Sequence, residues 1–239
     1  MKVDATNLSY QVLNRCLRTL TEDCEVVGCL GQRFIGAGMR DRRLSIYGTP
    51  GNALGAYLNG AYLEVHGNAQ DAVGDTMNAG TIVVHGSIGD TAGYAMRGGQ
   101  IYVQGNAGYR AGVHMKAYQD RLPVLVVGGC AGSFLGEYQA GGLIIVLGLH
   151  ANGKKIVSNF PCTGMHGGKL FLRSTCTGID FPPQVNVHPA SGEDLAEIQD
   201  YLAEYCRLFG HQLPTVLDEP FTVVTPNSEN PYRQMYVAN

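Results

Sequence analysis

The sequence predicts an all-β chain wound as a single-stranded parallel β-helix of about seven coils, and three observations predict it. The first is a repeat of nineteen residues, written three times between Gly48 and Gly105 as GTPGNALGAYLNGAYLEVHG, GNAQDAVGDTMNAGTIVVHG and GSIGDTAGYAMRGGQIYVQG. A period near twenty is the mark of a solenoid. The second is a short alternating run in each unit, such as Thr81-Ile82-Val83-Val84-His85 bounded by glycine, which reads as a strand with its apolar face inward. The third is glycine content: 33 of 239 residues, about twice the usual share, with no Gly-X-Y period.

The register fixes what each position does. Gly36, Gly55, Gly74, Gly93 and Gly112 stand nineteen apart, with Gly136 twenty-four further on; these are the corner glycines. Three residues after the first five stand Met39, Leu58, Met77, Met96 and Met115, a column expected to stack in the core. Leu44/Ile46, Leu63/Val65, Ile82/Val84 and Ile101/Val103 form the strand columns. They continue at intervals of twenty-four, nineteen and twenty-six as Leu125/Val127, Ile144/Val146 and Leu170/Leu172. A nineteen-residue unit has no room for a useful helix plus a strand and two turns, and the asparagine and leucine offsets of a leucine-rich repeat are missing. Hydrogen bonds to the coils above and below, about 4.8 Å apart, make seven coils a rod on the order of 30 Å long. Each fully buried core side chain contributes roughly 1.5–3 kcal/mol.

Around this rod the elements follow in order. Residues 1–35 form a cap. Val12, Leu13, Cys16, Leu17 and Leu20 have helical spacing between Ser9 and Leu20, and Glu25–Val27 with Arg33–Ile35 flank Gly28 and Gly31 as a hairpin. Residues 36–180 are the β-helix. Phe181-Pro182-Pro183 ends it, and residues 181–239 hold a second helix and an extended tail from Phe221 to Tyr236. Ser191 and Asp194 form a variant capping box for that helix, Leu195, Ile198, Leu202, Tyr205 and Phe209 share its apolar face, and Gly210 stops it.

Composition narrows the function classes. A net charge of −3 with no basic stripe argues against nucleic acid as a partner. The N-terminus MKVDATNLSYQ has no apolar signal region, and no run approaches a membrane span, so a cytoplasmic location is expected. Seven cysteines without a C-x-x-C motif are expected to be reduced thiols.

The groups capable of chemistry read as structural. His66 and His85, nineteen apart, should stack on the outer face; Tyr47 and Gln104 in the flanking coils supply no third metal ligand. Asn52, Asp71 and Asp90 form a column whose oxygens should cap turns. Cys16, Cys24 and Cys29 are spaced loosely for a cluster, and Cys162 and Cys176 near His166 lack a supporting acid or amide; buried thiols are expected at both places. Gly36-Ala37-Gly38 lacks the third glycine and the helix of a dinucleotide loop. No catalytic, cofactor or metal site is assigned to this chain.

As strings, GNAQDAVGDTMNAGTIVVHG, GYAMRGGQIYVQGNAGYRAGVHMK, FLGEYQAGGLIIVLG and GMHGGKLFLR resemble the GXGXG domain, the C-terminal domain of the glutamate synthase large subunit. The resemblance extends to FTVVTPNSENPYRQMY and covers nearly the whole chain. It departs from the family pattern at Gln139, which stands in the methionine column, at Cys162, which replaces a glycine, and at Glu-Asn before the tail proline. The resemblance implies a right-handed parallel β-helix that is not itself catalytic. It also implies partner subunits: a glutamine amidotransferase-like unit, and a synthase unit carrying FMN and an iron–sulfur cluster. The match is to a stand-alone glutamate synthase domain 3, a scaffold in glutamate biosynthesis and nitrogen metabolism, with homo-oligomerisation left open. Two alternatives share the fold signal: the β-helical subunit of an N-methylglutamate synthase or formylmethanofuran dehydrogenase complex, and a carbohydrate-active β-helix enzyme. Partner docking is expected at the inserted loops Lys116–Pro123 and His150–Lys155, through Lys116, Arg121 and Lys155.

Overall fold

The structure, a computed structural model, describes residues 1–227 of the chain. Its elements in order are β1 (Lys2–Asp4), α1 (Tyr10–Thr19), β2 (Cys24–Leu30), β3 (Arg43–Thr49), β4 (Asn59–His66), β5 (Ala79–Val84), β6 (Gly99–Val103), β7 (Pro123–Val127), β8 (Ala140–Val146), β9 (Gly167–Leu172), β10 (Val185–Pro189), α2 (Gly192–Phe209), α3 (Leu213–Leu217) and β11 (Thr222–Pro226). From β1 to β9 every strand pairs in parallel with the next in sequence, giving a solenoid of about eight turns. Beyond β9 the direction reverses: β11 pairs antiparallel with β9, and β10 antiparallel with β11.

The sequence columns are the observed registers. Leu44, Leu63, Ile82, Ile101, Leu125, Ile144 and Leu170 are successive partners, as are Ile46, Val65, Val84, Val103, Val127, Val146 and Leu172. All of them are buried, and with the Met39, Leu58, Met77, Met96 and Met115 column they form one continuous core.

The hairpin expected at residues 25–35 is absent. Glu25–Val27 lies in β2, which pairs in parallel with both β1 and β3, and Arg33–Ile35 lies in the first corner. The coil stack thus begins inside the segment read as a cap. A single irregularity hid this coil. Cys24 pairs with Leu44 and Val26 with Ile46, twenty residues on, whereas Cys29 pairs with Gly48, nineteen on; the register slips by one between Val26 and Cys29. Gly28, with φ of 66°, takes up the slip. The tail, in turn, is an ordered strand as far as Pro226, and its expected continuation to Tyr236 lies outside the described residues.

Each coil turns through three left-handed residues placed alternately. In one coil these are Ala53, Gly55 and Tyr57 (φ 63°, 66° and 57°); in the next they are Ala72, Gly74 and Thr76. Alternation points successive N–H groups in opposite directions along the axis. Ala53 and Tyr57 donate forward to the carbonyls of Asp71 and Asp75, and Gly55 donates backward to that of Ile35, each at 2.8 Å. The middle position must be glycine for a second reason. A Cβ on Gly55, Gly74 or Gly112 would lie 2.6, 2.5 or 2.3 Å from the Cδ1 of Ile82, Ile101 or Ile144. Cys162 holds the middle position of a corner at φ 61°, and among the described residues no further parallel coil follows β9.

Side-chain oxygens stitch the outer turns. Asn52 Oδ1 accepts from Asp71 N, Asp71 Oδ1 from Asp90 N and Asp90 Oδ1 from Tyr109 N, the turn-capping column expected from the sequence. A second column, Asn68, Ser87 and Asn106, accepts from Ser87 N, Asn106 N and Cys130 N. Glycine precedes Asp90 and Tyr109 in the first column because a Cβ on Gly89 or Gly108 would sit 2.1 or 2.3 Å from the oxygen of Asp71 or Asp90; Gln70 holds the corresponding place at the Asn52 step.

Helix α2 lies against the outer face of the strands. Ser191 and Asp194 close its capping box and Gly210 ends it in the left-handed conformation. Ile198, Leu202, Tyr205 and Cys206 pack on Tyr102, Val124, Val126, Ile145 and Phe171. This explains why the strands change from alternating (Leu63-Glu64-Val65) to continuously apolar (Pro123–Val127, Leu143–Val146): the later strands are covered on both faces.

The methionine column is broken by Gln139, which is fully buried. Its Nε2 donates to the carbonyls of Gly141 and Gly142, while Oε1 has no partner among the described residues. Gln139→Met fits the shape already occupied by methionine in neighbouring coils and removes the orphaned acceptor; it is expected to stabilise the fold by about 1 kcal/mol in urea denaturation. Gly74→Ala combines a left-handed backbone with a core clash and should cost about 3 kcal/mol in the same measurement. Asp90→Ala should cost about 1 kcal/mol by orphaning Tyr109 N–H, and Asp90→Asn, which keeps the acceptor, should be close to neutral.

Candidate interaction surface

The corner that turns its glycines inward turns aromatic side chains outward. Phe34, Tyr57, Tyr94, Tyr109, Tyr138 and Phe160 all stand on this corner, and all are exposed, Phe160 to 61% and Tyr57 to 58%. Phe34, Tyr57, Tyr138 and Phe160 are themselves left-handed residues flanking the middle position, while Tyr94 directly follows the middle glycine Gly93 and Tyr109 precedes the left-handed Arg110. In the later coils they form two files. Tyr109, Phe134 and Phe160 follow one another at 5.2 Å between ring centroids, and Tyr94, His114 and Tyr138 at 6.0 and 5.2 Å, the last pair stacked to within 8°.

An ion pair braces the files. Arg110 lies over the rings of Tyr109 and Phe134, 5.0 and 5.5 Å from their centroids, and its Nε approaches Glu137 Oε2 at 2.7 Å across to the next coil. Glu137 is buried to 7% residual exposure, so its charge is held in place by Arg110. The result is a rigid, solvent-facing aromatic surface with one guanidinium at its centre, the composition enriched at interface hot spots. At the N-terminal end a groove between α1 and the first corner is lined by Tyr10, Asn14, Arg15, Arg18 and Phe34. Arg33 there stacks on Tyr10 at 4.6 Å.

The residues expected to dock partners are differently placed. Lys116 and Arg121 lie on the loop preceding β7, which folds back on itself through a Tyr118–Arg121 bridge. Lys155 follows β8, and its Nζ donates to the Gly178 carbonyl. All three are exposed, but the two loops leave the strand-bearing face at its opposite ends, so the structure does not bring them together. Gly36, Gly55, Gly74, Gly93, Gly112 and Gly136 are all left-handed corner residues, with φ between 66° and 73°. The sequence signal for this corner is the set of aromatic residues close to those glycines: Phe34, Tyr57 and Tyr138 two positions away, Tyr94 one and Tyr109 three.

The thiols are poorly suited to nucleophilic chemistry. Burial pushes Cys29 up to about 11 and raises Cys24, Cys162 and Cys176 as well, with the neighbouring Cys176 raising Cys162 further. His166 Nδ1 lies 3.0 Å from the Gly164 carbonyl. The expected histidine stack is present: His66 and His85 lie 5.2 Å apart and within 7° of parallel, and Tyr47 continues the stack at 4.4 Å. None of the described helices is long and apolar enough to cross a membrane.

Three comparisons bear on this geometry. The GXGXG motif family matches residues 3–227. A protein of Methanocaldococcus jannaschii described as uncharacterized is 39% identical over 250 residues, covering 98% of this chain and 95% of that protein. Among solved structures, a chain of the formyltransferase/hydrolase complex of Methylorubrum extorquens, in complex with methylofuran, superposes with a TM-score of 0.62. That likeness covers 92% of this chain and 89% of the other at 18% identity, and so speaks for the fold alone. With its repeat, its left-handed glycine corners and a match spanning nearly its whole length, the chain belongs to the GXGXG motif family.

Proposed function

We propose that this chain is a non-catalytic scaffold subunit of a glutamate synthase-type complex and holds its partners against the aromatic corner. The observation that carries the reading is the exposed pair of files, Tyr109–Phe134–Phe160 and Tyr94–His114–Tyr138, locked by Arg110 and Glu137 on a rigid solenoid. An apolar surface already ordered before binding loses little entropy on docking. Membership of the GXGXG family supports the choice of complex. In this reading a glutamine amidotransferase-like subunit releases the amide nitrogen, and a synthase subunit holding FMN and an iron–sulfur cluster delivers it to 2-oxoglutarate. This chain, in the cytoplasm, fixes the geometry between them.

A second reading has one observation in its favour. The likeness in fold to a chain of the formyltransferase/hydrolase complex favours the β-helical subunit of a formylmethanofuran dehydrogenase complex, the alternative expected from the sequence alongside that of N-methylglutamate synthase.

Isolation of the native complex through a tag on this chain distinguishes them. Recovery of a flavoprotein and an amidotransferase-like protein in stoichiometric yield is expected. A molybdenum or tungsten protein instead would select the second reading, and recovery of the chain alone would refute both. Tyr138→Ser with Phe160→Ser should lower partner affinity at least about thirtyfold, the loss of a hot-spot contact of about 2 kcal/mol. Lys116→Glu with Arg121→Glu and Lys155→Glu tests the two loops in the same assay, and a larger loss there would move the docking surface to them.

A further inference from the structure

On the uncovered part of the strand face, three groups with metal-binding atoms converge. In β4 the core side takes Leu63 and Val65, so Glu64 and His66 share the outer side. The nineteen-residue period sets His85 directly over His66, with His85 N–H bonded to the Val65 carbonyl at 2.9 Å. Glu64 Oε1 lies 3.0 Å from His85 Nε2, and one ligand atom from each of the three residues falls within 4.8 Å of the others. Two neutral imidazoles and a carboxylate are the donor set of zinc and its neighbours, not of magnesium or calcium.

The surroundings fix these groups in place. Tyr47 packs on one face of His66, His85 on the other, and Phe209 meets His85 edge-on at 5.3 Å, so both rings are held by packing. Arg43 bonds the other oxygen of Glu64 at 2.5 Å and acts as an outer support for the carboxylate. Desolvation opposes ionisation of Glu64, but the hydrogen bonds from His85 and Arg43 outweigh it and hold its carboxyl below the ordinary value. Phe209 is the last residue of α2, so the C-terminal turn of that helix adjoins the cluster. Tetrahedral bonds of about 2.1 Å set ligand atoms about 3.4 Å apart, so closure from the observed spacing needs a shift on the order of 1 Å.

We propose that Glu64, His66 and His85 form a surface site for a divalent transition-metal ion of the zinc class, with the remaining coordination open to water. The proposal does not rest on the scaffold reading. The intact purified chain, first stripped with a chelator, is titrated with Zn²⁺ by calorimetry and with Co²⁺ by absorption spectroscopy. One ion per chain is expected, with visible cobalt bands of nitrogen and oxygen ligation and no thiolate charge-transfer band. In imidazole NMR of the unmutated protein, Co²⁺ should shift the His66 and His85 resonances. His66→Gln, His85→Gln and Glu64→Gln should each weaken Zn²⁺ binding at least about tenfold. Because the three side chains lie outside the core, circular dichroism should be unchanged and metal-free Tm should hold in the histidine variants, with a small loss in Glu64→Gln from its Arg43 and His85 contacts. Binding no tighter than millimolar, a thiolate band, undiminished affinity in the His66→Gln/His85→Gln double variant, or imidazole resonances unmoved by Co²⁺ would each overturn the proposal.

Discussion

Every corner of this solenoid has to satisfy backbone donors toward the coil before it and the coil after it, and the alternately left-handed triplets are how it does so. An ordinary tight turn would close hydrogen bonds within one coil and leave its neighbours unpaired. Here Ala53, Gly55 and Tyr57 aim their N–H groups forward, backward and forward, and the pattern recurs coil after coil. The stack of strands, the core columns and the outward aromatic files all inherit their alignment from that corner. The cost is backbone strain at non-glycine positions such as Tyr57, Thr91 and Phe134, which the inter-coil bonds offset.

The same rule that aligns the core also aligns the surface. A side chain facing out of one coil lies over its counterpart in the next, so a modest local preference becomes a file. The turn-capping oxygens of Asn52, Asp71 and Asp90, the ring stack of Tyr47, His66 and His85, and the aromatic corner are three outcomes of one geometry. Function in such a chain is a matter of which columns are left uncovered. Helix α2 covers the outer face of the later strands, and the corner files remain open.

Much of this was legible from spacing. The nineteen-residue period, with its longer intervals of twenty-four and twenty-six, placed the partners from Leu44 to Leu172 in register, and Ser191, Asp194 and Gly210 marked the limits of α2. What escaped did so for physical reasons. The slip at Gly28 put Val26 twenty residues before Ile46, which removed β2 from the count and made it look like a hairpin arm. Glu64 joins His66 and His85 through the two-residue alternation of a strand, which puts residues two apart on one face, and the nineteen-residue period alone does not reveal it. The aromatic corner is not written in residue type, because a left-handed triplet aims flanking residues such as Tyr57 and Tyr138 outward and its middle residue, such as Cys162, into the core, and that handedness belongs to the backbone.

The uniform register of the middle coils makes the protein a ruler with divisions. Between β3 and β6 each strand advances by nineteen residues with the same partners above and below. Adding or removing one such unit changes the distance between the α1 groove and the aromatic files by one strand spacing, about 4.8 Å, and changes no contact type. The span between the two ends is thereby set by counting coils, so a lineage can tune it in whole steps without redesigning either end.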